Sequence, residues 1–302
     1  MKISAIVTTY NYARFVQRAV DSVLDQTYPV AEVIVVDDGS TDNTREVLAV
    51  YGDRIKYVHQ ANGGISSARN TGMRHASHPW VAFLDADDRW LPEKIARQVE
   101  VAEADPALDL VYTSLWLHTP GSEPKLHTAL APHLLWPRFR YINNITPSSV
   151  MVRRETLLGA GGFDETIKRC EDWEMWVRLG PGLRCAAVEE PSVAYQIAPG
   201  SLSASVELEV ATTERIAETT LLAGLTGWRR SLWRRRAMSA VLFRSSVACR
   251  ADPAASRRYL LHSILRWPSP FFLPVRWRSV VWEWRRALLG LAPRRSRTAI
   301  EP

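Results

Sequence analysis

Cysteine is nearly absent from this chain of 302 residues, and the three present, Cys170, Cys185 and Cys249, show neither a pairing pattern nor metal-ligand spacing. A disulfide scaffold and a zinc–cysteine module are therefore excluded, and a reducing compartment fits. There is no uninterrupted apolar stretch of about 18 to 20 residues, which argues against a helix that spans a bilayer. Low-complexity tracts and repeats are missing too, so the chain reads as neither a solenoid nor a disordered linker. The apolar run near Met1 turns polar within a few residues and reads as a first strand, not a secretory leader. One further scarcity is local. Residues 228 to 302 contain no lysine and only three acids against 17 arginines, a net charge of +14, which leaves −8 for residues 1 to 227 out of a total of +6. The acidic part is suited to a metal and a catalytic carboxylate, the basic part to an anionic partner.

What is present is a βαβα pattern. Apolar, β-branched runs at 3 to 8, 32 to 37, 55 to 59 and 80 to 85 alternate with helical periodicity at about 13 to 26, 42 to 50, 66 to 76 and 92 to 103. This predicts an α/β fold with a Rossmann-like, mostly parallel sheet flanked by helices. Leu108 to Leu117 extends the sheet, and a polar, proline-containing loop from Thr119 to about Arg140 is expected as a lid. A strand at Ser148 to Val152, a glycine turn at Gly159 to Asp164 and a helix carrying Glu171-Asp172-Trp173-Glu174 follow, and the core closes near Ser203. The domain reading is 1–204 for the catalytic α/β domain and 205–302 for a helical, Arg/Trp-rich extension.

Two strands end in carboxylates. Trp80-Val81-Ala82-Phe83-Leu84 runs into Asp85-Ala86-Asp87-Asp88, and Glu32 to Val36 runs into Asp37-Asp38-Gly39-Ser40-Thr41-Asp42. Crowded carboxylates repel one another unless a cation sits among them, most simply a hard divalent ion. Taken alone, the Asp85 to Asp88 cluster is explained about as well by an acidic turn that caps the next helix. The coincidence of the two clusters favours a shared site, because open α/β sheets bind ligands in the crevice at the carboxyl ends of the strands.

Seven segments in order strengthen this: Val7-Thr8-Thr9-Tyr10-Asn11, Ser22 to Thr27, Val36 to Asp42, Asn62-Gly63-Gly64 through Ala68-Arg69-Asn70-Thr71-Gly72, Asp85-Ala86-Asp87-Asp88, Gly161-Gly162-Phe163-Asp164-Glu165, and Glu171-Asp172-Trp173. With them, roughly residues 2 to 204 resemble family 2 glycosyltransferases, inverting nucleotide-sugar-dependent enzymes of the GT-A fold. The resemblance implies that Thr8, Tyr10 and Asp38 hold the nucleoside, with Tyr10 stacking and Asp38 accepting from a base N–H, and that Asp85 faces the ribose. It implies that Asp87 binds a divalent cation, Mn²⁺ or Mg²⁺, which bridges the diphosphate, and that Arg69 faces the diphosphate. A surface arginine paired with an acid is the plainer reading of Arg69. Asp172 matches the base that takes the acceptor hydroxyl's proton. Asp37, Asp88, Glu171 and Trp173 are read as supporting neighbours: Asp88 orients the cluster or caps the next helix, and Glu171 supports the base or pairs with an arginine.

The implied activity is transfer of a single sugar from a nucleoside diphosphate donor, UDP or dTDP by analogy, to a hydroxyl of a glycan or lipid-linked saccharide. The Gln-x-x-Arg-Trp signature of polymerising relatives is missing. One departure concerns the donor site: many relatives carry an arginine after the tyrosine and a histidine two residues on, whereas this chain has Tyr195-Gln196-Ile197-Ala198. That departure keeps open a second reading, a non-catalytic nucleotide-sugar-binding accessory of a glycan assembly complex. A nucleotidyltransferase would need a glycine-rich loop after the first strand, which Thr8-Thr9-Tyr10-Asn11-Tyr12 does not supply.

In the tail, Trp277, Val281, Trp284 and Leu288 recur at helical spacing among arginines. Such a helix suits an anionic membrane surface; a helical subdomain that packs its tryptophans inward is the competing reading. Nucleic acid is disfavoured for want of a recognised binding module. The expected location is the cytoplasm, with peripheral attachment to the inner face of the cell membrane on the first of these readings.

Overall fold

The computed structural model describes residues 1–139, 143–197, 206–222, 225–249 and 252–267. The chain divides into two compact units, Met1–Ser203 and Ala204–Pro302.

In the first unit, β1 (Ile3–Thr9) is buried along its whole length, as an apolar run flanked on both faces requires. It pairs in parallel with β2 (Glu32–Asp37) on one side and with β4 (Trp80–Asp85) on the other, and β2 pairs in parallel with β3 (Lys56–His59). The crossovers are α1 (Ala13–Leu24), the short α2 (Thr44–Leu48) continued by a 3-10 turn to Arg54, and α3 (Ile65–His75). Because the chain leaves β1 in both directions, a crevice opens between β1 and β4 at their carboxyl ends. Register places Thr8 level with Val36 and Asp85, and Thr9 level with Asp37, so both acidic strand ends reach the same edge.

The sheet is mixed, not mostly parallel, beyond β4. Its order is β3-β2-β1-β4-β8-β6-β9-β5. Here β8 (Val150–Arg153) runs antiparallel between β4 and β6 (Leu110–His118), while β9 (Cys185–Gln196) is parallel to β6. The two-residue β5 (Arg89–Trp90) pairs antiparallel with β9, and α4 (Lys94–Ala104) covers this half. The sequence reading placed a strand at Ser148 to Val152 but had no signal for its direction, because the residues of a strand do not reveal which way its neighbours run.

The expected polar lid also differs. Within it lie β7 (Lys125–His127), paired with β6, and α5 (Pro132–Phe139). Leu135 and Phe139 are buried, four apart on one helix face, which is why this stretch folds down instead of remaining a loop. Arg140, its expected end, lies outside the described residues.

The segment that leads into α7 (Glu171–Leu179) is clasped to α3. Asn70 Nδ2 donates to Phe163 O and to Glu165 Oε1, both at 2.9 Å, and Phe163 N donates back to Asn70 Oδ1 at 2.8 Å. Gly162, at φ 75°, permits this approach: a Cβ there would lie 2.7 Å from Asn70 Oδ1. Preceding this clasp, α6 (Arg154–Gly159) links it to β8.

In the second unit, α8 (Val206–Ile216) runs into a π-helical turn, Ala217–Leu221, and α9 (Gly227–Ala248) and α10 (Pro253–Arg266) pack as an antiparallel pair. Serines stitch the pair. Ser239 Oγ donates to Ser263 O at 2.8 Å, Ser263 Oγ returns to Ser239 O at 2.7 Å, and Ser256 Oγ reaches Ser246 O at 2.7 Å. Asp252 caps α10 through the N–H groups of Ala254 and Ala255. Leu261 and Leu265 on α10 are 56% and 66% exposed, and Trp228 at the start of α9 is 71% exposed. Among the described residues no helix is long and apolar enough to cross a membrane. The tryptophan helix expected around Pro274 to Leu289 lies outside them.

Candidate active site

A cavity of about 680 Å³ opens at the carboxyl ends of β1, β2 and β4. Thr8, Tyr10, Asp38, Arg69, Asp85, Asp87, Glu171 and Asp172 line it together, although their sequence positions span 164 residues from Thr8 to Asp172. Asp37, Asp88 and Trp173 lie outside the lining.

Each of the three does structural work. Asp37 accepts from Ser40 N at 2.8 Å and from Tyr57 Oη at 2.6 Å, which holds the turn after β2. Asp88 is buried and accepts from Ser148 Oγ at 2.6 Å and Gln196 N at 2.9 Å, so it anchors the end of β9. Burial, with Asp87 and Asp85 beside it, drives its carboxyl well above the usual range. Trp173 Nε1 donates to Phe139 O at 2.7 Å and Trp176 Nε1 to Ile145 O at 3.1 Å. These two indoles fasten α7 to the last residue of α5 and to Ile145.

Asp38 is not a free acceptor. Its carboxylate takes bonds from Gln60 Nε2 at 2.7 Å, Gly63 N at 2.9 Å and Gly64 N at 2.7 Å. A carboxylate offers about four lone-pair sites, so one remains for a ligand. Tyr10, 44% exposed, presents an open ring to the same cavity.

Arg69 is neither on the surface nor open to solvent. At 2% exposure its Nη2 donates to both oxygens of Asp85, at 2.8 and 3.0 Å, and its Nη1 to Glu171 Oε1 at 2.5 Å, while the Phe163 ring lies 5.5 Å away. Burial alone would lower the guanidinium's pKa, but Asp85, Glu171 and Asp172 outweigh it and hold the pKa above its ordinary value. Thr8 Oγ1 adds a bond to Asp85 Oδ1 at 3.2 Å. Arg69 thereby joins the strand end at β4 to the first turn of α7, which explains how Glu171 and Asp85 come to share a wall.

The remaining carboxylates are under strain of a different kind. Asp87 is partly buried and, with Asp85 adjacent, is pushed up to about 6. Asp172 is pushed up to about 7, by burial first and then by Glu171. Its Oδ1 accepts from Trp173 N at 2.8 Å and its Oδ2 from Asn143 Nδ2 at 2.6 Å. The sequence reading missed Asn143, which is 29 residues away in the chain and carries no motif signal. It also missed Tyr12, Lys168 and Tyr195, which line the cavity; Lys168 Nζ donates to Gly63 O at 3.3 Å. Gln196, the point of departure from the arginine of many relatives, does reach the cavity.

A divalent cation fits this donor set. Among the described residues no other side chain donates to the Asp87 carboxylate, since Arg18 Nη2 reaches only its backbone oxygen, at 3.4 Å, and burial beside Asp85 raises its pKa, which marks a carboxylate short of positive charge. Among the described residues no group of three His, Cys, Asp or Glu side chains could hold a metal by itself. Oxygen ligands from a diphosphate and water would have to complete the shell, as is usual for Mg²⁺.

Comparison with known proteins settles the family. The model of glycosyl transferase family 2 matches residues 4–154. The chain belongs to that family. An uncharacterised family relative, a glycosyltransferase of Nostoc sp., is 47% identical over 116 residues, covering 37% of this chain and 36% of the relative. A second, from Rickettsia prowazekii, is 33% identical over 191 residues, covering 59% and 58%. The chain thus spans between about a third and three fifths of the length of these relatives. The fold is GT-A. Residues 1–349 of S. aureus TarS, in complex with UDP-GlcNAc, superpose with a TM-score of 0.66 at 20% identity, over 88% of this chain and 81% of that one. The mannosyltransferase PcManGT of Pyrobaculum calidifontis, in complex with GDP-Man and Mn²⁺, gives 0.55 at 20% identity, over 96% and 88%.

Proposed function

We propose that the protein is an inverting, metal-dependent glycosyltransferase that moves one sugar from a nucleoside diphosphate donor to a hydroxyl of a glycan or lipid-linked acceptor. One observation carries this: Asp172, a carboxylate pushed up to about 7, lines the same cavity as Asp85 and Asp87 at the strand ends. A base with a pKa near neutrality can both accept and release a proton at working pH.

In the reaction, Asp172 takes the proton of the acceptor hydroxyl while its oxygen bonds to the anomeric carbon. On the opposite face the bond from that carbon to the diphosphate oxygen breaks, and its electron pair leaves with the nucleoside diphosphate. Tyr10 and Asp38 hold the base, Thr8 and Asp85 the ribose side, and Arg69 fixes Asp85 and Glu171. Asp87 would hold the divalent cation, which supplies Lewis-acid stabilisation of the charge growing on the diphosphate.

The donor class draws support from relatives of the same fold: TarS was solved with UDP-GlcNAc, and PcManGT with GDP-Man and Mn²⁺. A thermal-shift panel of nucleoside diphosphates with and without Mn²⁺ tests it. A ligand at about 100 times its Kd stabilises the native state by about 2.7 kcal/mol. The expected result is stabilisation by UDP or dTDP that EDTA, or Asp87→Asn, largely removes. Equal stabilisation with the chelator overturns the assignment of Asp87.

For the basic extension the favoured partner is an anionic membrane surface. The exposed face of α10 carries Leu261 and Leu265 flanked by Arg257, Arg258 and Arg266, with no acid beyond the capping Asp252. Apolar side chains framed by arginines match a headgroup layer. Leu261→Glu with Leu265→Glu should lower flotation with phosphatidylglycerol vesicles about tenfold or more; undiminished flotation would remove α10 from the contact.

A further inference from the structure

We infer that Asn143 is a positioning residue for transfer: its side-chain amide holds Asp172 Oδ2 so that one lone pair on each carboxylate oxygen is left for the acceptor hydroxyl. The inference rests on reading Asp172 as the base.

The geometry has three parts. First, Asn143 Nδ2 donates to Asp172 Oδ2 at 2.6 Å, while Trp173 N takes Oδ1 at 2.8 Å. The carboxylate is held through both oxygens and has no freedom to rotate without losing a bond. Second, Asn143 is itself fixed, because its Oδ1 accepts from Ile145 N at 3.1 Å. That bond also settles which way the amide points, with nitrogen toward the acid. Third, α7 itself bonds the residue from which that amide is fixed, since Trp176 Nε1 donates to Ile145 O, and Trp173 Nε1 donates to Phe139 O at the end of α5. The bonds at Asp172 and Ile145 therefore hold the donor amide against the helix that bears the acid.

Charge sets the consequence. Glu171 on the same helix works against ionisation of Asp172, whereas Arg69 from α3 and the amide of Asn143 favour it; the phenol of Tyr195 on β9 faces the same carboxylates. Arg69 is already shared with Asp85 and Glu171. Asn143 is thus the neutral group that keeps Asp172 available as a base without adding a second cation next to a sugar that must develop positive charge. Neutral amides suit this task, since a donor stabilises a carboxylate while leaving it basic.

Two variants separate this from a purely structural role. Asn143→Asp preserves the oxygen that accepts from Ile145 and replaces only the amide donor; Asn143→Ala removes both. Loss of one hydrogen bond to a charged group should move the acid limb of the kcat profile up by about one pH unit in the alanine variant, and further in the aspartate variant, where a like charge faces Asp172. At pH 7 kcat should fall about fivefold in the alanine variant and further in the aspartate variant, with donor Kd within about twofold, and recover as pH is raised. An acid limb unmoved within about 0.2 units in both variants overturns the inference, as does a change in acceptor KM alone. Should the alanine variant lose its native melt, the aspartate variant decides. Failure of the underlying reading would be visible separately, because Asp172→Asn would then still transfer sugar.

Discussion

Asp172→Asn is expected to slow transfer by about 10² to 10⁴-fold, the usual range for removal of a general base, with the nucleoside diphosphate still bound. The substitution is nearly isosteric. An asparagine at 172 can still accept from Trp173 N through its one oxygen, although its amide nitrogen then faces the Asn143 amide and that bond is lost; the N–H contact within the first turn of α7 remains and the loss falls on kcat. The pH dependence follows from the direction of the shift. A base must be deprotonated, and burial with Glu171 nearby pushes Asp172 up to about 7, so kcat/KM rises as pH increases through that value and falls below it. Steady-state kinetics across pH 5 to 9, together with titration of the nucleotide, check both halves. Transfer at near-native rate by the asparagine variant would move the chemistry to another group.

Arg69→Met has the largest expected effect on stability. The guanidinium is enclosed and holds two carboxylates from different elements, Asp85 at the end of β4 and Glu171 at the start of α7. Breaking a buried ion pair by removing one partner typically costs about 3–5 kcal/mol, because the other charge stays behind without compensation. Asp85 is 26% exposed and can draw on water, which argues for the lower end of that range. In a unit of this size about 3 kcal/mol corresponds to a fall in melting temperature of roughly 6–12 °C. Arg69→Lys restores the charge but not the fork that spans both acids, so it should recover only part of the loss. Calorimetry on the full chain reads this, and a melting temperature unchanged in the methionine variant would mean that water has replaced the pair.

Part of this architecture was legible in the sequence. The buried strands β1, β2 and β4 read plainly because they are continuous β-branched runs, and their acidic ends marked the crevice before any coordinates. The strand at β8 was read as well, but not its direction, and the short strands β5 and β7 were not read, since two or three residues carry too little periodicity. The helix α5 was hidden by the prolines and polar residues around Leu134-Leu135-Trp136. Side-chain partnerships were the least visible. Glu171 could be read as a partner for some arginine, but that the arginine is Arg69, 102 positions earlier, follows only from the way Asn70 and Phe163 clasp α3 to the chain entering α7. Asn143 had no signal at all, because its importance lies in a contact between elements, not in its neighbours along the chain.

Asp38 carries a consequence for any attempt to alter the nucleotide preference proposed for this cavity. Its carboxylate is a fastening for the backbone at Gly63 and Gly64 as well as a candidate contact for the base. Swapping it to suit a different base edge would release the loop that starts α3, and with it the footing of Arg69. Redesign of donor preference has more room at Tyr10, whose ring is 44% exposed.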